Sequence, residues 1–194
     1  MSEQQTPLIL ASASPRRREL LERFGLPFIV EASLVDEEAD PALSPQELVL
    51  TLARRKAFDV AERREGLILA ADTVVVIDNH VLGKPVDAGE ARMMLRSLSG
   101  RCHRVLTGMA LYSALDQHLE EAVEQTDVWF KVLEDAEIER YLQCGEYLDK
   151  AGSYAAQGRA AAFIERIEGC YHNVIGLPLF RLNQMLQAFD RRLV

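Results

Sequence analysis

The spacing of apolar and polar residues along the chain predicts alternating strands and helices. Leu8-Ile9-Leu10-Ala11 is a continuous apolar run of the length of a short buried strand. Ser12-Ala13-Ser14-Pro15 follows, with Pro15 suited to the first position of a helix and Ser14 to its cap. That helix is expected to run to about Phe24, where Gly25 closes it. A second strand is expected over Phe28–Val30, then an acidic loop, Asp36-Glu37-Glu38-Ala39-Asp40. Ser44-Pro45-Gln46-Glu47 is a capping box with proline inside it. The helix it opens carries apolar residues at 48, 49, 52, 53, 57, 60 and 61, the spacing of one helical face.

Leu67–Ile77 is rich in β-branched residues, and Asp78-Asn79-His80 breaks it before Val81-Leu82, which predicts a hairpin. Asp87-Ala88-Gly89-Glu90 starts another helix, leading to Ser97. Two longer strands are expected over 105–112 and 123–132, a helix over 134–142, a strand pair over 160–167 and Tyr171–Ile175, and a closing helix over 178–189. This mixture implies an α/β or α+β fold around a mixed sheet, with no clear domain boundary, so residues 1–194 are read as one domain.

Composition narrows the function classes. The 194 residues are 48% hydrophobic and 27% charged, enough for a packed core. The net charge of -8 disfavours a nucleic-acid partner, because most of the surface would repel phosphates. The three cysteines, Cys102, Cys144 and Cys170, form no CxxC pair and suit neither a zinc site nor a disulfide framework; they read as thiols of a reducing cytosol. The first seven residues are polar and lack an apolar signal core, and no apolar run reaches membrane-spanning length. The expected location is therefore the cytoplasm, with no membrane partner.

Against this background several residues carry candidate chemistry. Arg16-Arg17-Arg18 sits at a helix N-terminus, where positive charge opposes the dipole; a bound polyphosphate would resolve the conflict. The alternative is a solvated turn in which the arginines pair with Glu19 and Glu22. Asp72 stands in the middle of an apolar strand, where a carboxylate is costly unless paired or metal-bound. A structural aspartate satisfied by amides or a lysine is the competing reading. Lys56 lies in register with Leu48, Leu52 and Val60 and must snorkel, pair or face a cleft. Gly83-Lys84-Pro85 presents a lysine from a turn, with the glycine expected to let the backbone bend tightly. In Asp149-Lys150-Ala151-Gly152-Ser153-Tyr154-Ala155-Ala156-Gln157-Gly158, small residues allow close approach to a ligand. Gln157 offers a donor and an acceptor in one plane, matching the imide edge of uracil or thymine. Asp36 and Glu37 could supply oxygen ligands to magnesium or manganese alongside substrate phosphates. A GxSxG elbow, a P-loop and a GxGxxG fingerprint are all absent from the sequence.

In this order, Leu-Ala-Ser-x-Ser-Pro-Arg-Arg at 10–17, Ala-Asp-Thr at 71–73, Gly-Lys-Pro at 83–85, Asp-Lys-Ala-Gly at 149–152, Gln157-Gly158 and Gly-Leu-Pro-Leu at 176–179 resemble the Maf family of nucleotide pyrophosphatases. The resemblance implies a two-lobed α/β fold with a mixed sheet and flanking helices around a central cleft, similar to inosine triphosphate pyrophosphatases. It also implies hydrolysis of a nucleoside triphosphate to the monophosphate and pyrophosphate with a divalent cation, in a homodimer. By resemblance Asp72 accepts the proton of the attacking water and binds metal with Glu37, while Ser14, Arg16, Arg17, Lys56 and Lys84 hold phosphates. The family's branches differ at the positions of Arg16, Thr73 and Gln157; the set here is that of the dTTP/UTP branch, whereas the 7-methyl-GTP branch carries Trp, Gln and Glu. One departure is Ala155, where the family usually has glycine after the tyrosine, and this bears on the base pocket. Two other functions stay open at this point: house-cleaning of modified or non-standard nucleotides, and a nucleotide-binding division regulator without turnover.

Overall fold

A computed structural model of the protein describes residues 6–37, 40 and 42–194. Part of the acidic loop, Glu38 and Ala39, lies outside the described residues. Seven strands form one mixed sheet: β1 (Leu8–Leu10), β2 (Phe28–Val30), β3 (Leu67–Ile77), β4 (His80–Leu82), β5 (Cys102–Ser113), β6 (His118–Phe130) and β7 (Ile164–Glu168). Their hydrogen-bonding order is β2-β1-β3-β5-β6-β7, with β4 paired to β3. The helices are α1 (Pro15–Glu22), α2 (Pro45–Ala61), α3 (Ala88–Leu98), α4 (Asp135–Gln143), α5 (Tyr171–Ile175) and α6 (Leu179–Gln187). The expected mixed α/β class is therefore what the chain adopts.

The chain divides into two compact units, and β3, β5 and β6 each run from one into the other. The first holds the described residues up to Asp72, Thr107–Glu124 and Gly176–Val194. In it β1 lies parallel to both β2 and β3, with Ile9 opposite Ile29 and Ile68. Parallel strands are covered on both faces, which explains why all three residues of β1 are apolar and buried. The capping box of α2 forms as expected: Ser44 accepts from the Glu47 N–H, and Glu47 accepts from the Ser44 N–H at 2.9 Å. The buried face of this helix packs Ala53, Ala57 and Val60 with Ile9, Ile68 and Ala110.

The second unit holds Thr73–Leu106 and Gln125–Ile175. The expected hairpin is present, with Val76 opposite Val81 and a two-residue turn at Asp78 (φ 49°) and Asn79 (φ 62°). Asp87 caps α3 by accepting from the Glu90 N–H at 2.8 Å. The core of the unit gathers Leu95, Val105, Val128, Phe130, Tyr141 and Phe163.

Three local expectations need correction. Helix α1 stops at Glu22, short of Phe24. Residues 159–163 form a 3₁₀ helix, so the strand is confined to Ile164–Glu168. Ala160 and Phe163, three residues apart, are buried while Ala161 and Ala162 are exposed, the spacing of a three-residue turn. Tyr171–Ile175 is a helix and not a strand. A short apolar run carries no decisive period. Within this helix the buried Asn173 amide donates to the Val105 carbonyl at 2.9 Å and to Thr126 Oγ1 at 3.0 Å.

Candidate active site

The first unit brings four of the expected residues into one charged cluster. Lys56 is buried on the apolar face of α2, and Asp72 is buried in β3. Lys56 Nζ donates to Asp72 Oδ1 at 2.6 Å and to Glu37 Oε1 at 2.6 Å. Snorkelling is thus excluded for Lys56; it pairs. Glu37 reaches the same ammonium from the loop with a half-exposed side chain. A buried carboxylate of this kind is tolerable because a buried cation pairs with it; Glu37 shares that cation.

Arg17 joins the cluster electrostatically. Burial draws its guanidinium below the usual arginine value; Asp72 opposes that, Arg16 reinforces it, and Glu37 opposes it more weakly. The guanidinium stays charged at neutral pH. Two of its donors are already committed, Nε to the Gly176 carbonyl at 2.8 Å and Nη1 to Ser12 Oγ at 3.1 Å. Ser14 occupies the N-cap of α1, yet its side chain makes no capping bond; its N–H donates instead to Ser12 Oγ at 3.2 Å. Arg16 is half-buried at the same helix start. Two guanidinium groups at a helix N-terminus raise one another's electrostatic cost, and an anion there lowers it. Ser12 and the Gly176 carbonyl are therefore organisers of this turn. Each lies inside a motif, but neither had an evident role, because a main-chain acceptor 159 residues away leaves no local signal.

In the second unit, Thr73 follows Asp72 along β3 and is half-buried. Lys84 is exposed in the turn after β4. The expected role of Gly83 as a strained turn residue is corrected: its φ is not positive, and a Cβ there would meet nothing within 4 Å. What Gly83 contributes is its carbonyl, which accepts from the Gly152 N–H at 3.1 Å. The turn carrying Lys84 and the loop carrying Gln157 are joined by that bond. Gly152 sits at φ 65°, and a Cβ there would lie 2.9 Å from Val75 Cγ1, so both conformation and contact call for glycine. Gln157 is exposed, whereas Tyr154, Ala155 and Ala156 before it are buried. Ala155 has no positive φ, so its methyl is compatible with the backbone.

The three cysteines are free thiols, with Cys102 exposed and the other two half-buried. Among the described residues no group of three or more His, Cys, Asp or Glu side chains could hold a metal ion by itself, and no helix is long and apolar enough to cross a membrane.

A family model described as "Maf-like protein" matches residues 7–189. The chain is 52% identical over 183 residues to a protein of Pelotomaculum thermopropionicum named dTTP/UTP pyrophosphatase, covering 94% of this chain and 96% of the relative. It is 55% identical over 183 residues to a protein of the same name from Symbiobacterium thermophilum, covering 94% and 93%. A third of that name, from Desulforamulus reducens, is 47% identical over 189 residues, covering 97% and 99%. Among solved structures, a nucleoside-triphosphatase described as a dITP/XTP pyrophosphatase, from Mycobacterium abscessus, aligns with 64% of this chain and 74% of its own at a TM-score of 0.41 and 14% identity.

Proposed function

The chain belongs to the Maf family, and from that premise we propose that it hydrolyses nucleoside triphosphates, dTTP and UTP foremost, to the nucleoside monophosphate and pyrophosphate. The observation that carries this reading is the buried Lys56–Asp72 pair with Glu37 on the same ammonium, in a chain more than half identical to dTTP/UTP pyrophosphatases.

The donor set fits a hard divalent cation. Asp72 and Glu37 already converge on one positive point, both offer oxygen, and magnesium or manganese commonly takes one or two carboxylates with water and phosphates completing its shell. When bound there, the cation would neutralise charge on the triphosphate. The protein's own groups do the rest. Asp72 takes the proton of a water molecule as its oxygen attacks phosphorus; the bond between the α- and β-phosphates breaks, and pyrophosphate leaves with its charge balanced by lysine and arginine. Lys56 orients the Asp72 carboxylate through its 2.6 Å bond. Arg16, Arg17 and Ser14 at the start of α1, with Lys84, hold phosphate oxygens. Gln157 pairs with the imide edge of the base, and Arg16, Thr73 and Gln157 together select a pyrimidine. The enzyme is read as a cytoplasmic homodimer with no nucleic-acid partner, in keeping with its net charge of -8.

The test is pyrophosphate release from dTTP, UTP, CTP, GTP and 7-methyl-GTP, with magnesium or manganese and then with excess chelator. The expected result is the highest kcat/KM for dTTP and UTP and loss of activity in chelator that either metal restores. Equal use of all five nucleotides, or full activity without metal, contradicts it.

A further inference from the structure

Gln157 is exposed on a turn and follows three buried residues, Tyr154, Ala155 and Ala156. The Gly158 N–H donates to the Ala155 carbonyl at 3.0 Å, which makes Ala156 and Gln157 the central residues of a four-residue turn. The turn is held at both ends. On the near side, the Tyr154 hydroxyl pairs with His103 Nε2 at 2.8 Å, and the two rings meet edge to face, 5.4 Å between centroids. On the far side, Glu146 Oε2 accepts from the Arg159 N–H at 2.7 Å. That carboxylate lies so close to the turn that a Cβ at Gly158 would sit 2.2 Å from Glu146 Oε2. A side chain at 158 would therefore displace the Glu146 carboxylate from its place beside the Arg159 N–H.

His103 is the costlier half of this arrangement. It is 2% exposed, it packs edge-on against Phe130, and its Nδ1 has no partner among the described residues. Apolar residues at 103 and 154 together would fill the same space without a buried polar atom left unsatisfied. Among the described residues, the one polar bond the imidazole makes is to Tyr154, three residues before Gln157.

We propose that Glu146 and the His103–Tyr154 pair are positioning residues for base recognition, a clamp that fixes the turn presenting Gln157. The proposal rests on the reading that Gln157 pairs with the pyrimidine base. Both ends of the clamp bond to the protein's own groups. Each removes freedom from the turn before the base arrives, so the clamp acts on nucleotide discrimination and not on the hydrolytic step.

The experiment measures kcat and KM for dTTP and GTP in wild type, Glu146→Ala, Glu146→Gln, Tyr154→Phe, Gln157→Ala and Glu146→Ala/Gln157→Ala, with unfolding temperature and circular dichroism of each. Glu146→Ala is expected to lower the dTTP/GTP ratio of kcat/KM by about fivefold to twentyfold, carried by KM for dTTP, with kcat within about twofold. Glu146→Gln retains an oxygen that can accept from the Arg159 N–H and should stay within about twofold of wild type. Tyr154→Phe should lower the ratio by about threefold to tenfold. The double variant should discriminate no worse than Gln157→Ala alone, because the clamp has nothing left to position. A folded Glu146→Ala or Tyr154→Phe with the wild-type ratio, while Gln157→Ala loses it, overturns the clamp and leaves base reading by Gln157 intact. A Gln157→Ala variant with the wild-type ratio instead removes the base reading and the clamp with it. Should Glu146→Ala not fold, Tyr154→Phe decides by the same comparison.

Discussion

Around Lys56 the chain spends charge. One ammonium binds two carboxylates at 2.6 Å each, and Arg17 feels both acids. Around Gln157 it uses neutral groups and close approach. A tyrosine meets a histidine in a buried core, a glycine packs on Val75, and Glu146 accepts from a backbone N–H. The difference fits the two tasks proposed for these regions. A region that handles a polyanion and moves a proton needs groups whose charge can respond, and burial makes each of them strong. A region that reads a base edge needs fixed geometry, and neutral buried bonds supply it without competing for metal or phosphate. Substitutions in the first region should strike turnover, and those in the second should strike choice of nucleotide.

The largest expected effect is in the charged cluster. Asp72→Asn keeps the size of the side chain but removes proton acceptance, and kcat for dTTP should fall by about 100- to 10,000-fold. Steady-state pyrophosphate release, alongside circular dichroism to confirm the fold, checks it. Turnover near that of wild type would remove Asp72 from the chemistry.

The neutral core should reveal itself through pH. Burial holds His103 down at about 4, against about 6.5 for an exposed imidazole. The unfolded chain therefore takes up a proton first as pH falls below about 6.5. Stability is whole above that value, and the fold loses roughly 2 kcal/mol by pH 5 and about 3 kcal/mol by pH 4 from this one group. Urea unfolding at pH 7.5 and 5 measures the drop, and a His103→Leu/Tyr154→Phe variant, apolar at both positions, should lose most of it. An unchanged drop in that variant assigns it to other groups.

The third effect is smaller and concerns choice alone. Gln157→Glu keeps an acceptor, loses the donor and sets negative charge against a base carbonyl. The kcat/KM for dTTP and UTP should fall by about 5- to 150-fold, with purine nucleotides gaining relative to them. Gln157→Ala should fall between the two. An unchanged nucleotide ranking in both variants shifts base selection to Arg16 and Thr73.

The two regions also differ in how far the sequence disclosed them. Asp72 in an apolar strand and Lys56 on an apolar helix face each break a local pattern, and breaking it singled them out before any contact was known. The capping box at Ser44 and the hairpin at Asp78-Asn79 were equally plain, since the residues that specify them are neighbours in sequence. The clamp was not. Glu146 is one acid among many until the backbone of Arg159 is seen above it, and His103 carries no motif. Gly83 suggested a bend and supplies a carbonyl; Tyr171–Ile175 suggested a strand and is a helix, tied by the Asn173 amide to Val105. In each case the partner is distant along the chain, so no local window contains the signal.

The most direct measurement of the central claim is product analysis of dTTP hydrolysis by the wild-type protein with magnesium, resolving dTMP, dTDP, phosphate and pyrophosphate over time. Equal amounts of dTMP and pyrophosphate from the first time point, and no dTDP, are the expected result. Accumulation of dTDP with free phosphate, or intact dTTP under conditions where the protein is folded, would contradict it.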